Sequence, residues 1–222
     1  MVMAPPLNQV YYMDCDIGMA EIPAGSIDTI FTDPPYVADQ WEAAYRTLAK
    51  HAPRILKPSG FCITYTPQIR LPEIMDIMRS TGLKYYWQDV QVHASSNNTG
   101  AVHGRKVFCL YKPILIFQNP PFKQAPEYFY DVIRSRRSKR FHPWQQSVQD
   151  AVQILRRLTI AGDVVLDPYL CTGTTAKAAK LLGRRYLGYE IDPEMCRIAR
   201  REIEQEPLTV EEWAQSAAGG SA

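Results

Sequence analysis

Two hydrophobic periods alternate along this chain, and that alternation most constrains what it can fold into. Short apolar runs at 9–14, 26–32, 61–66, 163–167 and 185–191 have the length and β-branched character of buried strands. Between them, apolar residues recur every third or fourth position, as Trp41, Ala44, Tyr45, Leu48, Ala52 and Ile55 do. That spacing lines one face of a helix. Helices are expected over 39–56 (stopped by Pro58-Ser59-Gly60), 71–80, 147–160, 174–182 and 193–205. Strands joined through helices become parallel neighbours, so the pattern implies an α/β, Rossmann-like fold with a mostly parallel sheet. The β-rich stretches 83–93 and 107–118 have only a polar loop between them. No helical period links them, so they are expected to pair antiparallel and supply one antiparallel strand. Segment 118–142, with prolines at 120, 121 and 126 and the cluster Tyr128-Phe129-Tyr130, reads as irregular.

Length and composition narrow the function classes. The chain has 222 residues, 46% of them hydrophobic, which suffices for a full core in one domain. A single domain over 1–206 is expected, with inserted loops at about 95–106 and 118–141 and a tail over 207–222. No apolar run reaches membrane-spanning length, and the N-terminus lacks a basic patch followed by an apolar stretch. Five scattered cysteines, never spaced Cys-x-x-Cys, argue against a disulfide framework and against a zinc site. A reducing, cytoplasmic setting, no metal and no membrane partner are therefore expected. The net charge of +2 conceals an asymmetry: residues 99–146 carry +7 and the remainder −5. Arg134, Arg136, Arg137, Lys139 and Arg140 fall within seven positions, with Arg105 and Lys106 upstream. A concentrated cationic stripe is a footprint for phosphate, as in nucleic acid, although most such runs are solvated charged loops.

Two segments carry chemistry. In Thr32-Asp33-Pro34-Pro35-Tyr36, two prolines end an apolar strand and stiffen the backbone at the carboxyl end, where α/β sheets bind ligands. The corner offers a carboxylate, backbone carbonyls and an aromatic face. Those groups suit an amino group attached to a stackable base. In Val164-Val165-Leu166-Asp167-Pro168-Tyr169-Leu170-Cys171-Thr172-Gly173-Thr174-Thr175, a strand runs through a small-residue turn into a helix, and Glu190 ends the next strand 23 residues after Asp167. The turn lets a nucleoside approach the backbone, and the later acid can take ribose hydroxyls. Neither a P-loop nor GxGxxG is present, which favours a ligand with a ribose but no pyrophosphate.

Together these segments resemble the amino-methylating DNA methyltransferases that use S-adenosylmethionine. Asp-Pro-Pro-Tyr is similar to that family's catalytic motif, and Asp167 to Thr175 is similar to its cofactor motif. Further matches lie at Tyr12-Met13-Asp14-Cys15 with Ser26-Ile27-Asp28, at Arg184 to Asp192, and at His142-Pro143-Trp144-Gln145-Gln146-Ser147. The catalytic motif precedes the cofactor motif, the circularly permuted order of the β class.

The resemblance implies roles. Asp14, with Cys15 beside it, would accept from the cofactor adenine amine, and Glu190, beside Ile191, would hold the ribose. Asp167, Pro168, Thr172, Gly173 and Thr174 would surround the methionine portion, closed by His142, Pro143 and Gln145. Asp33 and the Pro34 carbonyl, stiffened by Pro35, would hold the target amine, and Tyr36 would stack on a flipped base. The partner would be DNA, gripped by Arg105, Lys106 and the 134–140 run. The small inserts imply a short target, relaxed specificity or a homodimer. Adenine N6 is the expected target, with cytosine N4 second. A binder without turnover and an RNA or protein-amide methylase are the other readings. Cys171 departs from the family's glycine, and Gln146-Ser147 from its Lys-Pro. A reactive nucleophile at Cys171 is the weaker reading.

Overall fold

In chain order the elements are β1 (Gln9–Tyr12), α1 (Cys15–Glu21), β2 (Ile27–Thr32), α2 (Gln40–Ile55), β3 (Leu56–Tyr65), a 3-10 turn (Gln68–Arg70), α3 (Leu71–Arg79), β4 (Lys84–His93), β5 (Gly100–Val102), β6 (Val107–Cys109), β7 (Tyr111–Gln118), β8 (Val132–Ser135), α4 (Val148–Leu158), β9 (Val164–Asp167), α5 (Thr174–Leu181), β10 (Arg185–Glu190) and α6 (Pro193–Glu204). This computed structural model describes residues 5–37, 40–93, 100–102, 105–135 and 146–205. Eight strands form one sheet in the order β1-β10-β9-β2-β3-β7-β4-β8, and β5 and β6 form a separate hairpin. Within the eight-stranded sheet β7 alone runs against its neighbours β3 and β4; every other pairing is parallel. The mostly parallel sheet with one antiparallel strand is thus the architecture observed.

Alternation along the strands divides the core. Ile30, Cys62, Leu115 and Leu166 face a cluster built with Met19, Tyr45, Leu48 and Ile74 from α1, α2 and α3. Their neighbours Phe31, Ile63, Ile116 and Val165 face Ala151, Ile154, Leu155 and Ala178 from α4 and α5. Residues one apart on a strand point to opposite faces, so both faces of these strands are apolar and both are covered by helices. The chain leaves β9 toward β10 on one side, through α5, and leaves β2 toward β3 on the other, through α2. The β9/β2 boundary is therefore the topological switch point, where a crevice opens at the carboxyl ends of the strands.

Four local expectations are corrected. The strand over 9–14 ends at Tyr12, and Asp14 instead caps helix α1 through a 2.7 Å bond from the Asp16 N–H. This short helix contains Gly18, which weakens its sequence signal; a Cβ there would lie 2.4 Å from the Tyr189 ring. Pro58-Ser59-Gly60 does not separate helix from strand, because β3 begins at Leu56 and bulges against β2 between Ile27 and Thr29. Asn119 braces this bulge: its backbone pairs with Ser59 and Gly60, and its amide donates to the carbonyls of Pro53, Leu56 and Lys57. The stretch 107–118 is two strands, broken at exposed Leu110. The segment 118–142 contains β8, which adds in parallel to the β4 edge. Its period is hard to read because only Ile133 and Ser135 are buried in four residues.

Candidate active site

The carboxyl ends of β1, β10, β9 and β2 each deliver an acid: Asp14 just beyond β1, Glu190, Asp167, and Asp33 just beyond β2. Strand register places Glu190 opposite Tyr12 and Asp167 opposite Gly188. Across the switch point, the Thr32 hydroxyl donates 2.7 Å to Asp167 Oδ1. Two chain regions 135 positions apart are thereby tied at one spot. A single cleft is lined by Thr32, Asp33, Tyr65, Gln146 and Asp167, by residues 169–172 of the turn, and by Thr174 and Thr175 at the start of α5. Burial pushes the Asp167 carboxyl up to about 6, opposed by hydrogen bonds from Thr32, Thr175 and the Tyr169 N–H and reinforced by the charge of Asp33.

Asp33 is densely partnered. Its Oδ1 accepts from the Tyr36 hydroxyl. Its Oδ2 accepts from Lys112 Nζ at 2.7 Å and from Gln146 Nε2 at 2.6 Å. The Lys112 ammonium also sits 4.8 Å from the centroid of the Tyr36 ring and 4.5 Å from that of Tyr65, within cation–π range. Burial draws the Lys112 ammonium below its usual value, and the Asp33 charge pulls it back up. Pro34 is buried and Pro35 half-buried, so the corner is held from behind.

On the β10 side of the cleft, Glu190 closes the 170–173 turn. Its Oε2 accepts from the Cys171 N–H at 2.7 Å and its Oε1 from the Asp192 N–H at 2.8 Å. Each oxygen keeps a lone pair for a further donor. Gly173 caps α5 at φ +84°, and a Cβ there would lie 3.1 Å from that of Ala199. Cys171 stands at φ +50°, so the left-handed conformation that favours glycine is real. Burial pushes its thiol up to about 11, which keeps it neutral and removes it as a nucleophile at neutral pH. Replacing Cys171 with Gly relieves a left-handed penalty of about 1–2 kcal/mol, partly offset by the entropy of a freer unfolded chain. Cys171→Gly is therefore expected to raise the urea midpoint at an unchanged slope; a lowered midpoint would mean that the thiol's packing outweighs the strain.

Residues 27–201 match the family model described as DNA methylase, of the N6/N4 methyltransferase kind. The chain belongs to this DNA methylase family. YubD of Escherichia coli (strain K12) is 28% identical over 191 residues, covering 80% of this chain and 82% of that protein. Among solved structures, the M1.HpyAVI–SAM complex superposes with a TM-score of 0.73 at 23% identity, over 88% of this chain and 98% of the other. The PvuII DNA methyltransferase, described as cytosine-N4-specific, superposes at 0.77 with 15% identity, over 96% and 92%. These likenesses show the methylase fold.

Not every residue expected in the methylase's site gathers in the cleft. Asp33, Asp167, Thr172 and Thr174 line it, with Glu190 bonded to its wall. Asp14 is exposed at the cap of α1, Cys15 is half-buried with its thiol pushed up to about 11 by burial, and Ile191 is exposed. Pro168 is buried behind the turn. Arg105, Lys106 and Arg134 are exposed. His142, Pro143, Gln145, Arg136, Arg137, Lys139 and Arg140 lie outside the described residues, as do loop residues 95–99 and the tail over 207–222. Among the described residues no cluster of His, Cys, Asp or Glu could hold a metal ion, and no helix is long and apolar enough to cross a membrane.

Tertiary packing in the methylase decides the setting of several further side chains. His51 of α2 is buried, with Nε2 2.6 Å from Asp16 Oδ1. Tyr85, Trp87 and Tyr111 lie on strands and are exposed, and the register of β4 against β7 shifts between Tyr85 and Trp87. Lys112, one of the cations in the charge sum of 99–146, is paired with Asp33 and keeps only 19% of its side-chain surface. Sequence reasoning missed Lys112, Gln146 and Thr32 as site residues. The available signal was a single cation at the head of an otherwise apolar strand, Tyr111–Gln118.

Proposed function

We propose that this methylase transfers the sulfonium methyl of S-adenosylmethionine to the exocyclic N6 of adenine in DNA, acting on a base flipped out of the duplex. The observation that carries the reading is the Thr32–Asp167 bond, which ties the base-facing corner and the cofactor-facing turn into one cleft. The donor set fits the cofactor. Four carboxylates along one sheet edge accept hydrogen bonds and attract cations. They suit an adenine amine, ribose hydroxyls, an ammonium and a sulfonium, and they repel a phosphate-bearing nucleotide.

Asp14 would take the cofactor adenine amine, Glu190 the ribose hydroxyls, and Asp167 with Thr172 and Thr174 the methionine portion. When bound, S-adenosylmethionine supplies an electrophilic methyl group. The lone pair of an adenine N6 is conjugated into the ring and is a poor nucleophile. Asp33 and the Pro34 carbonyl would accept its two N–H groups, turning the nitrogen toward tetrahedral geometry with its lone pair aimed across the cleft. The Asp33 charge then stabilises the cationic amine as the bond forms. Flipping costs a few kcal/mol. Stacking on Tyr36 returns about 1–3 kcal/mol. Mass spectrometry of nucleosides from DNA treated with the protein and labelled cofactor tests the reading: labelled N6-methyladenine is expected. Labelled N4-methylcytosine would move the target to cytosine, which presents the same kind of edge, and no labelled base would refute DNA methylation.

The raised Asp167 carboxyl makes binding pH-dependent. A cation is held by ionised Asp167, so cofactor affinity is expected to rise with pH up to about 6 and level off above it, with protons released on binding below that point. The free protein moves the other way. A carboxyl raised from 3.8 to about 6 on folding favours the folded state below 3.8 and loses that contribution as pH climbs to about 6. Calorimetric titrations between pH 5 and 8 should show the rise in the natural protein, and a flat profile in Asp167→Asn.

A further inference from the structure

An ionised Asp33 only accepts hydrogen bonds. The base edge it faces offers something different: in adenine and in cytosine the amine N–H stands beside a ring nitrogen with a lone pair. Two-point recognition of such an edge needs an acceptor and a donor side by side, the arrangement by which Asn and Gln amides read adenine. Lys112 supplies that donor, with Nζ 2.7 Å from Asp33 Oδ2. Its ammonium lies against the Tyr36 ring on which the base would stack, and Tyr65 backs it on another side. Gln146 also donates to Oδ2, yet its backbone carbonyl accepts from the Thr174 hydroxyl at 3.3 Å, which anchors it to the cofactor turn. A carboxylate offers about four lone-pair sites, and Tyr36, Lys112 and Gln146 engage three, leaving one for the amine.

We propose that Lys112 is a base-reading residue: it donates to the ring nitrogen next to the target amine, adenine N1 or cytosine N3, so that Asp33 and Lys112 together act as a composite amide. This rests on the base-methylating reading above. The pair does two things. It selects an edge with a donor beside an acceptor, and it engages the more basic ring nitrogen, leaving the amine as the nitrogen that faces the methyl donor. An aromatic pair around the ammonium keeps it in place at modest cost, because ring faces attract a desolvated cation.

The test uses duplexes bearing a site that the natural protein modifies, with either the natural target base or its deaza analogue, in which CH replaces the ring nitrogen. The natural protein is expected to lose at least ~10-fold in kcat/KM on the analogue. Lys112→Met is expected to show a similar loss on the natural base and no further loss on the analogue, with cofactor affinity by calorimetry within about twofold of the natural protein. Equal use of both bases by the natural protein overturns the proposal, and that measurement stands even if the Met variant fails to fold. Faster methylation by Lys112→Met also overturns it, since Lys112 would then merely occupy the place of the base. A natural protein that methylates no base refutes the underlying function itself, a failure visible before any variant is made.

Discussion

Asp33→Ala is expected to lower turnover by at least ~100-fold while leaving S-adenosylmethionine affinity within about twofold. In the proposed reaction the carboxylate acts on the amine and on the charge that develops there, and the proposed cofactor side keeps its own acids. The variant also leaves Lys112 without its 2.7 Å ion-pair partner. Breaking a fully buried pair costs 3–5 kcal/mol, and here both side chains retain about a fifth of their surface, so about 2 kcal/mol is expected. Single-turnover methylation, cofactor titration and urea unfolding separate the effects. The double variant Asp33→Ala with Lys112→Met should recover most of the stability and none of the turnover. Unimpaired methylation by Asp33→Ala would remove the residue from the chemistry.

Glu190→Ala should act on the other half of the cleft. Its carboxylate is proposed to take two ribose hydroxyls, and hydrogen bonds to a charged group contribute about 1.5–3 kcal/mol each. A loss of about 3 kcal/mol corresponds to roughly 100-fold weaker cofactor binding. The same substitution frees the Cys171 N–H, now held at 2.7 Å, so the turn before α5 keeps its bond from the Leu170 N–H to the Tyr189 carbonyl of β10 but loses its side-chain bond to Glu190. Turnover at saturating cofactor is expected to fall much less than affinity. Calorimetry and a cofactor-dependent rate curve read the two numbers separately. Affinity unchanged in Glu190→Ala would place the ribose elsewhere.

Most of the fold was legible because its signals are local. A strand between two covered faces must be apolar at consecutive positions, as Ile30-Phe31, Cys62-Ile63, Leu115-Ile116 and Val165-Leu166 are. A helix over one face must repeat near 3.6, as α2 and α4 do. The elements that escaped are those whose signals are weak or borrowed. Helix α1 is seven residues long and carries Gly18 to make room for Tyr189. Strand β8 shows two buried residues amid basic neighbours. The start of β3 depends on Asn119, which no period within 56–65 reveals.

The candidate site divides along the same line. The amino-acid sequence by itself determined the covalent parts: a proline-stiffened corner with Asp33 and Tyr36, a small-residue turn before α5, and acids at strand ends. Those follow from steric limits on proline, on φ and on strand termini, which act within a few residues. Which of those parts meet was decided by tertiary structure alone. The Thr32–Asp167 bond spans 135 positions, Asp33–Gln146 spans 113 and Asp33–Lys112 spans 79. Only the order of strands in the sheet brings such pairs together, and that order is set by how two faces of helices share one core. Lys112 shows the consequence. Sequence neighbours made it one more cation in a basic stretch, whereas the antiparallel placement of β7 beside β3 puts its ammonium against Asp33 and two aromatic rings.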